Sequence, residues 1–115
     1  MHELGIMESA FKLALGELDK HRAKMVCRMT LRIGELAAVD PVALRFAFDA
    51  IKPGTAFENA ELVIEHVAGR AICDKCNEEF ATKSMGILKC PSCGEYTGRI
   101  TAGREIDLAR LELDE

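Results

Sequence analysis

Cys73-Asp74-Lys75-Cys76 and Cys90-Pro91-Ser92-Cys93 are two C-x-x-C pairs separated by 13 residues. Each pair offers two thiolates from one tight turn, and a hairpin between the pairs brings the four sulfurs to one point, which predicts a tetrahedral zinc site. The residues that follow each pair fit, since Asn77 and Gly94 tolerate the left-handed conformation a metal knuckle needs to turn back on itself. Two disulfides or a redox C-x-x-C of the thioredoxin kind are the other readings; the doubling of the motif and the lack of a βαβ context weigh against both. Four thiolates leave no open coordination position, so the expected zinc is structural and not catalytic. Ile72, Phe80, Ile87, Leu88 and Tyr96 are too few to hold some thirty residues unaided, so metal binding is expected to supply much of the folding free energy of a module at 69–98.

Moving outward, Met25 to Ile33 alternates with period two: Cys27, Met29, Leu31 and Ile33 on one face, Val26, Arg28, Thr30 and Arg32 on the other. This predicts a half-buried strand, with Cys27 as a small core hydrophobe. Glu61–Val67 reads as a second strand, with Leu62, Ile64 and His66 on one face. Ile106 and Leu108 alternate in one phase and Leu111 and Leu113 in the other, which predicts a last strand with a bulge. Leu4, Met7, Phe11, Ala14, Leu15 and Leu18 make one stripe of a helix over about 3–21. Because that helix starts at the chain terminus, its first N–H groups are expected to lack caps. Asp40-Pro41 gives an N-cap with proline at the first position of a second helix, about 41–51, striped by Leu44, Phe48 and Ile51. The expected fold class is α+β: a small three-stranded sheet with two helices, residues 1–68 and 99–115, plus an inserted four-cysteine zinc-ribbon-like module, 69–98.

Composition narrows the function. The 115 residues are one domain's worth of chain, 49% hydrophobic and 30% charged, too short for a deep substrate cleft. Residues 69–98 balance Arg70, Lys75, Lys83 and Lys89 against Asp74, Glu78, Glu79 and Glu95, and the whole chain carries −4, so no electrostatic footprint for nucleic acid is expected. With no nucleophile motif and no glycine-rich phosphate loop, the reading is a non-enzyme, and any nucleotide hydrolysis must come from a partner. There is no basic leader, and no apolar run reaches the ~18 residues a membrane span requires, so a cytoplasmic protein without membrane contact is expected.

Met1-His2-Glu3 places an imidazole, an α-amine and the amides of residues 2 and 3 within a few bonds of one another. Four nitrogens in a plane suit Ni²⁺ or Cu²⁺ better than Zn²⁺. His21, among Asp19, Lys20 and Arg22, reads as a solvated helix C-terminus; His66 reads as a core or edge histidine and as the first alternative nickel ligand.

Met1-His2-Glu3 with its helix, Ile33-Gly34-Glu35-Leu36 leading to Asp40-Pro41 and Phe46-Ala47-Phe48, Gly54-Thr55 with Glu58, Ala60, Leu62, Ile64 and Glu65, and the paired C-x-x-C module together resemble the HypA/HybF family over nearly the whole chain. The resemblance implies a nickel metallochaperone serving [NiFe]-hydrogenase maturation, and in some organisms urease. It implies Ni(II) bound by His2, Met1 and Glu3, structural Zn(II) on Cys73, Cys76, Cys90 and Cys93, a HypB-type GTPase partner, and contact with the hydrogenase large subunit. Family members with histidines flanking the C-x-x-C pairs can exchange them into the zinc site with pH; this chain has none there. A monomer or weak homodimer is expected, with domain exchange through the inserted module as one route to pairing. The competing reading, from the zinc module alone, is a zinc-ribbon adaptor that contacts protein or nucleic acid without nickel.

Overall fold

The computed structural model describes residues 2–82 and 88–114 and orders them as α1 (Glu3–His21), β1 (Met25–Gly34), α2 (Pro41–Ile51), β2 (Glu61–Val67), β3 (Arg70–Ile72), β4 (Glu79–Ala81), β5 (Arg99–Ala102) and β6 (Ile106–Asp114). The three longer strands form the expected sheet in the order β2-β1-β6, with β1 central. A second small sheet, β4-β3-β5, carries the cysteine pairs, and its strand β5 runs beyond the 69–98 expected for the module. Its strands of three or four residues are too short for a period-two pattern to declare itself. By internal contacts the chain forms two compact units, residues 1–32, 39–65 and 107–115 in the first, and 33–38 with 66–106 in the second.

In the first unit, α1 buries Met7, Phe11, Ala14 and Leu18 as the heptad spacing requires. The flanks differ from expectation: Ile6 and Ala10 are buried while Leu4 and Leu15 are 37% and 50% exposed. Leu4 and Leu15 are eleven residues apart, three full turns, so they share one edge of the stripe. The burial turns toward the opposite edge. Phe11 is the pivot, stacked on the fully buried Phe57 at 3.8 Å and edge-on to Phe48 of α2 at 5.8 Å. Asp40 caps α2 as predicted, its Oδ1 accepting from the N–H groups of Val42 and Ala43 at 2.9 and 3.4 Å. Asp40→Ala is expected to cost about 1 kcal/mol, read as a drop of roughly 4–8 °C in the thermal midpoint.

Cys27 is a correction. It is exposed and not in the core. Val26 takes the buried place at 2% exposure, Cys27 and Arg28 both face outward, and the inward phase resumes at Met29. Arg28 is drawn out by two carboxylates, donating from Nε to Glu61 at 3.0 Å and from Nη1 to Glu112 at 2.8 Å, and the alternation slips by one residue beside it. The slip expected in β6 is present too: Ile106 and Leu108 are half-buried in one phase, Ala109, Leu111 and Leu113 in the next.

In the second unit, the backbone runs so close to itself that glycine is required. A Cβ on Gly34 would lie 2.0 Å from the Gly103 carbonyl oxygen, where the Leu36 N–H already donates at 2.7 Å. Gly34→Ala is therefore expected to destabilise by at least about 1–3 kcal/mol, the cost of overpacking against an unyielding neighbour. A denaturant midpoint within error of the parent would contradict that close approach.

Candidate metal centres

The two knuckles repeat one backbone pattern. In the first, the Asn77 N–H donates to the Cys73 carbonyl and the Cys73 N–H to the Glu78 carbonyl, both at 2.9 Å. In the second, Gly94 donates to Cys90 at 2.8 Å and Cys90 to the Glu95 carbonyl at 3.0 Å. The expected left-handed residues are in place, Asn77 at φ 60° and Gly94 at φ 75°. Ion pairs tie the knuckles to their surroundings, Lys75 to Glu95 and Arg99 to Asp74, each at 3.2 Å.

These turns bring Cys73, Cys76, Cys90 and Cys93 together with all four sulfurs within 4.8 Å of one another. Sγ of Cys73 lies 3.7 Å from that of Cys93, and Sγ of Cys76 lies 3.5 Å from that of Cys90. A tetrahedron with Zn–S bonds of ~2.3 Å has edges of about 3.8 Å, so the donor set fits zinc in both chemistry and spacing. All five cysteines are free thiols, which sets the disulfide reading aside. Cys73 and Cys90 are buried; Cys76 and Cys93 are exposed. Around the buried pair the core is small: Ala71 and Phe80, with Leu88 and Ile100 packed against them. Tyr96, expected to help, is instead 73% exposed, with Lys89 over its ring at 5.5 Å. Ile87 lies outside the described residues.

Electrostatics separates the proton affinities of Cys76, Cys90 and Cys93. At Cys90 the Cys93 N–H, aided by that of Ser92, outweighs burial and holds the thiol down to about 7 from an ordinary 9.0. At Cys76 the Glu78 N–H pulls downward, but desolvation and the sulfurs of Cys90, Cys73 and Cys93 prevail and push it up to about 12. Cys93 is raised in the same way against the Glu95 N–H. Four thiols this close cannot all ionise without a cation. Metal uptake must therefore expel the protons held at Cys76 and Cys93, and below about 7 that of Cys90 as well. The apparent zinc affinity is expected to fall as pH falls, more steeply below about 7; competition with a chromophoric chelator between pH 6 and 8 reads this, and a pH-independent affinity would contradict it.

At the other expected centre, His2 is exposed and stands as the N-cap of α1. Its Nδ1 accepts from the Leu4 N–H at 3.3 Å, so the helix start is not uncapped as expected: the candidate ligand is itself the cap. Glu3 Oε2 accepts from the Asp40 N–H at 3.3 Å, which ties the first turn of α1 to the start of α2. Met1 lies outside the described residues. Beside His2 and Glu3 runs a surface groove lined by Leu4, Val42, Ala43 and Phe46, and Val42 and Phe46 are 75% and 76% exposed. The sequence held a signal for this patch: Phe46 is two residues from both Leu44 and Phe48 and so falls off the buried stripe of α2. His66 is exposed and not in the core, and His21 is exposed, 3.6 Å from Glu17. Among the described residues, the cysteine cluster is the only group of three or more His, Cys, Asp or Glu side chains placed to hold a metal. No helix among them is long and apolar enough to cross a membrane.

The family model for hydrogenase/urease nickel incorporation, metallochaperone, HypA, matches residues 1–113. Hydrogenase maturation factor HypA of Chloroflexus aggregans is 38% identical over 112 residues, covering 97% of this chain and 98% of the relative. That of Desulfitobacterium hafniense is 38% identical over 115 residues and covers all of both chains. Among solved structures, the solution structure of the Ni metallochaperone HypA from Helicobacter pylori superposes with a TM-score of 0.71 at 26% identity, covering 98% of this chain and 97% of that one. With a family match over residues 1–113, relatives 38% identical over nearly their whole length and the same fold, the chain belongs to the HypA family of hydrogenase and urease nickel-incorporation metallochaperones.

Proposed function

We propose that this chain binds Ni(II) at its N-terminus through His2, the Met1 amine and the local backbone, with Glu3 beside them, and delivers it during maturation of [NiFe]-hydrogenase, urease being the alternative acceptor. Zn(II) on Cys73, Cys76, Cys90 and Cys93 is structural: when bound it fixes the geometry of the 69–98 module and reacts with nothing. The role is binding and transfer, in the cytoplasm, with a HypB-type GTPase supplying nucleotide hydrolysis and the hydrogenase large subunit receiving the metal. Against the zinc-ribbon adaptor reading stands the family match from residue 1, where an adaptor would have no use for a histidine at position 2.

The observation that carries the nickel reading is the placement of an exposed imidazole at the N-cap of α1, next to an apolar patch. A chelate ring closed through the residue's own backbone uses Nδ1, the nitrogen that caps Leu4. Nickel must therefore displace the cap, at a cost of about 0.5–2 kcal/mol that helps keep the ion exchangeable. The patch around Phe46 gives a donor or acceptor a surface to rest on while ligands exchange at His2. Phe46→Ser is expected to leave the melting temperature within about 2 °C, since the ring is solvent-exposed, and to slow nickel transfer to the acceptor several-fold at unchanged nickel affinity. Transfer measured with nickel-loaded protein and apo-acceptor checks this, and an unchanged rate would remove the patch from the account.

A further inference from the structure

We infer that the four-cysteine site is a target for hydroperoxides, which oxidise it to two crossed disulfides, Cys76–Cys90 and Cys73–Cys93, and so free its zinc while the 66–106 unit stays folded. The inference rests on the structural-zinc reading and is independent of the nickel one. Zinc keeps its cysteines ionised at neutral pH, and the thiolate is the form that a peroxide attacks. Exposure decides which sulfurs the peroxide reaches. Cys73 and Cys90 are fully buried in the small core with Ala71 and Phe80, whereas Cys76 and Cys93 are exposed. Each knuckle thus turns one cysteine outward and keeps the other in.

The partners for the second step are already in contact. Sγ of Cys76 lies 3.5 Å from that of Cys90, and Sγ of Cys93 lies 3.7 Å from that of Cys73. Each contact joins an outward cysteine to an inward one on the other knuckle, and the two pairs have no sulfur in common. With hydrogen peroxide, the Cys76 thiolate attacks one oxygen, the O–O bond breaks, hydroxide leaves and a sulfenic acid remains. The Cys90 thiolate then attacks that sulfur, the S–O bond breaks and a second hydroxide leaves; two electrons have passed from the two thiolates to the peroxide. Cys93 and Cys73 repeat the sequence with a second peroxide. With no thiolate left, the site holds no zinc. Disulfides within a knuckle would have to reshape turns fixed by the Asn77 N–H on the Cys73 carbonyl and the Gly94 N–H on the Cys90 carbonyl, at 2.9 and 2.8 Å, whereas crossed ones leave both turns standing. The crossed bonds join cysteines 14 and 20 residues apart, so each closes a loop of chain and restrains the unit as the metal did.

The test treats the full zinc-loaded chain with hydrogen peroxide and follows zinc with a chromophoric chelator, with Cys27→Ser beside wild type to keep the fifth thiol out of exchange. Zinc content is measured first: a chain without zinc would overturn the zinc reading and the proposal together. The expected result is complete release of the zinc, with about two peroxides consumed for each ion. Fragmentation of tryptic peptides, in which cleavage after Lys75 parts Cys73 from Cys76, is expected to show the 76–90 and 73–93 pairs. A sulfenic-acid trap added during the reaction is expected to mark Cys76 and Cys93 and to spare Cys73 and Cys90. The amide spectrum of 66–106 is expected to stay dispersed in the oxidised, zinc-free protein and to collapse in reduced protein stripped by chelator. Zinc retained in excess peroxide, any other pairing of the four cysteines, trapping at Cys73 or Cys90, or an oxidised unit without dispersion would overturn the proposal.

Discussion

Cys73→Ala is expected to leave the protein without zinc and the 66–106 unit without fixed structure, while α1 and α2 keep their helical signal. Cys73 is fully buried and its sulfur is one of the four that converge. Removing it leaves three donors and opens the site to water. The apolar core beside it consists of Ala71, Phe80, Leu88 and Ile100, far too little to order the unit. Structural zinc on thiolates contributes roughly 10–16 kcal/mol in small metal-folded peptides, which exceeds the total stability of most domains. The α1 core of Met7, Phe11, Ala14 and Leu18 against Phe48 and Phe57 shares none of those contacts. Metal analysis should fall from one zinc per chain to none, with dispersed amide resonances lost for 66–106 and the helical circular dichroism retained. Loss of the helical signal as well would mean that the two units do not fold separately.

The cysteine site was legible because its chemistry is written in spacing alone: two C-x-x-C pairs, a hairpin's length apart, each followed by a residue that tolerates positive φ. The long elements were legible for the same kind of reason, α1 from its threes and fours, α2 from Asp40-Pro41, and β6 even to its change of phase. What stayed hidden depends on partners distant in sequence. Arg28 reaches Glu112 from 84 residues away, and the phase slip that turns Cys27 outward sits beside that contact. Strands β3, β4 and β5 owe their pairing to the metal knuckles and close glycine approaches more than to any pattern of their own. The His2 cap escaped for a different reason. Histidine is not among the usual capping residues, so its place in the sequence marks the imidazole as a metal donor and gives no sign that Nδ1 accepts from the Leu4 N–H.

That double use of one nitrogen sets the second large effect. His2→Ala is expected to weaken nickel binding about 100-fold or more, since outer-shell changes alone cost 10–100-fold and this removes the imidazole itself. The same substitution also removes a cap, so fraying of α1 could be mistaken for loss of a ligand. His2→Asn separates the two: asparagine caps well and carries no imidazole. Nickel affinity lost to the same extent in His2→Asn and His2→Ala assigns the loss to the ligand. Recovery in His2→Asn would assign it to the helix start.

The central claim is that the chain's own N-terminus, amine included, is the nickel site. Isothermal titration with Ni(II) should therefore be run on zinc-loaded protein beginning at Met1 and on the same protein extended by one glycine before Met1, which moves the amine and leaves every side chain in place. One nickel per chain in the native form, with the extended form weakened by about 100-fold or more, is the result expected. Equal binding by both forms would contradict it and place the nickel elsewhere, with His66 the next residue to test.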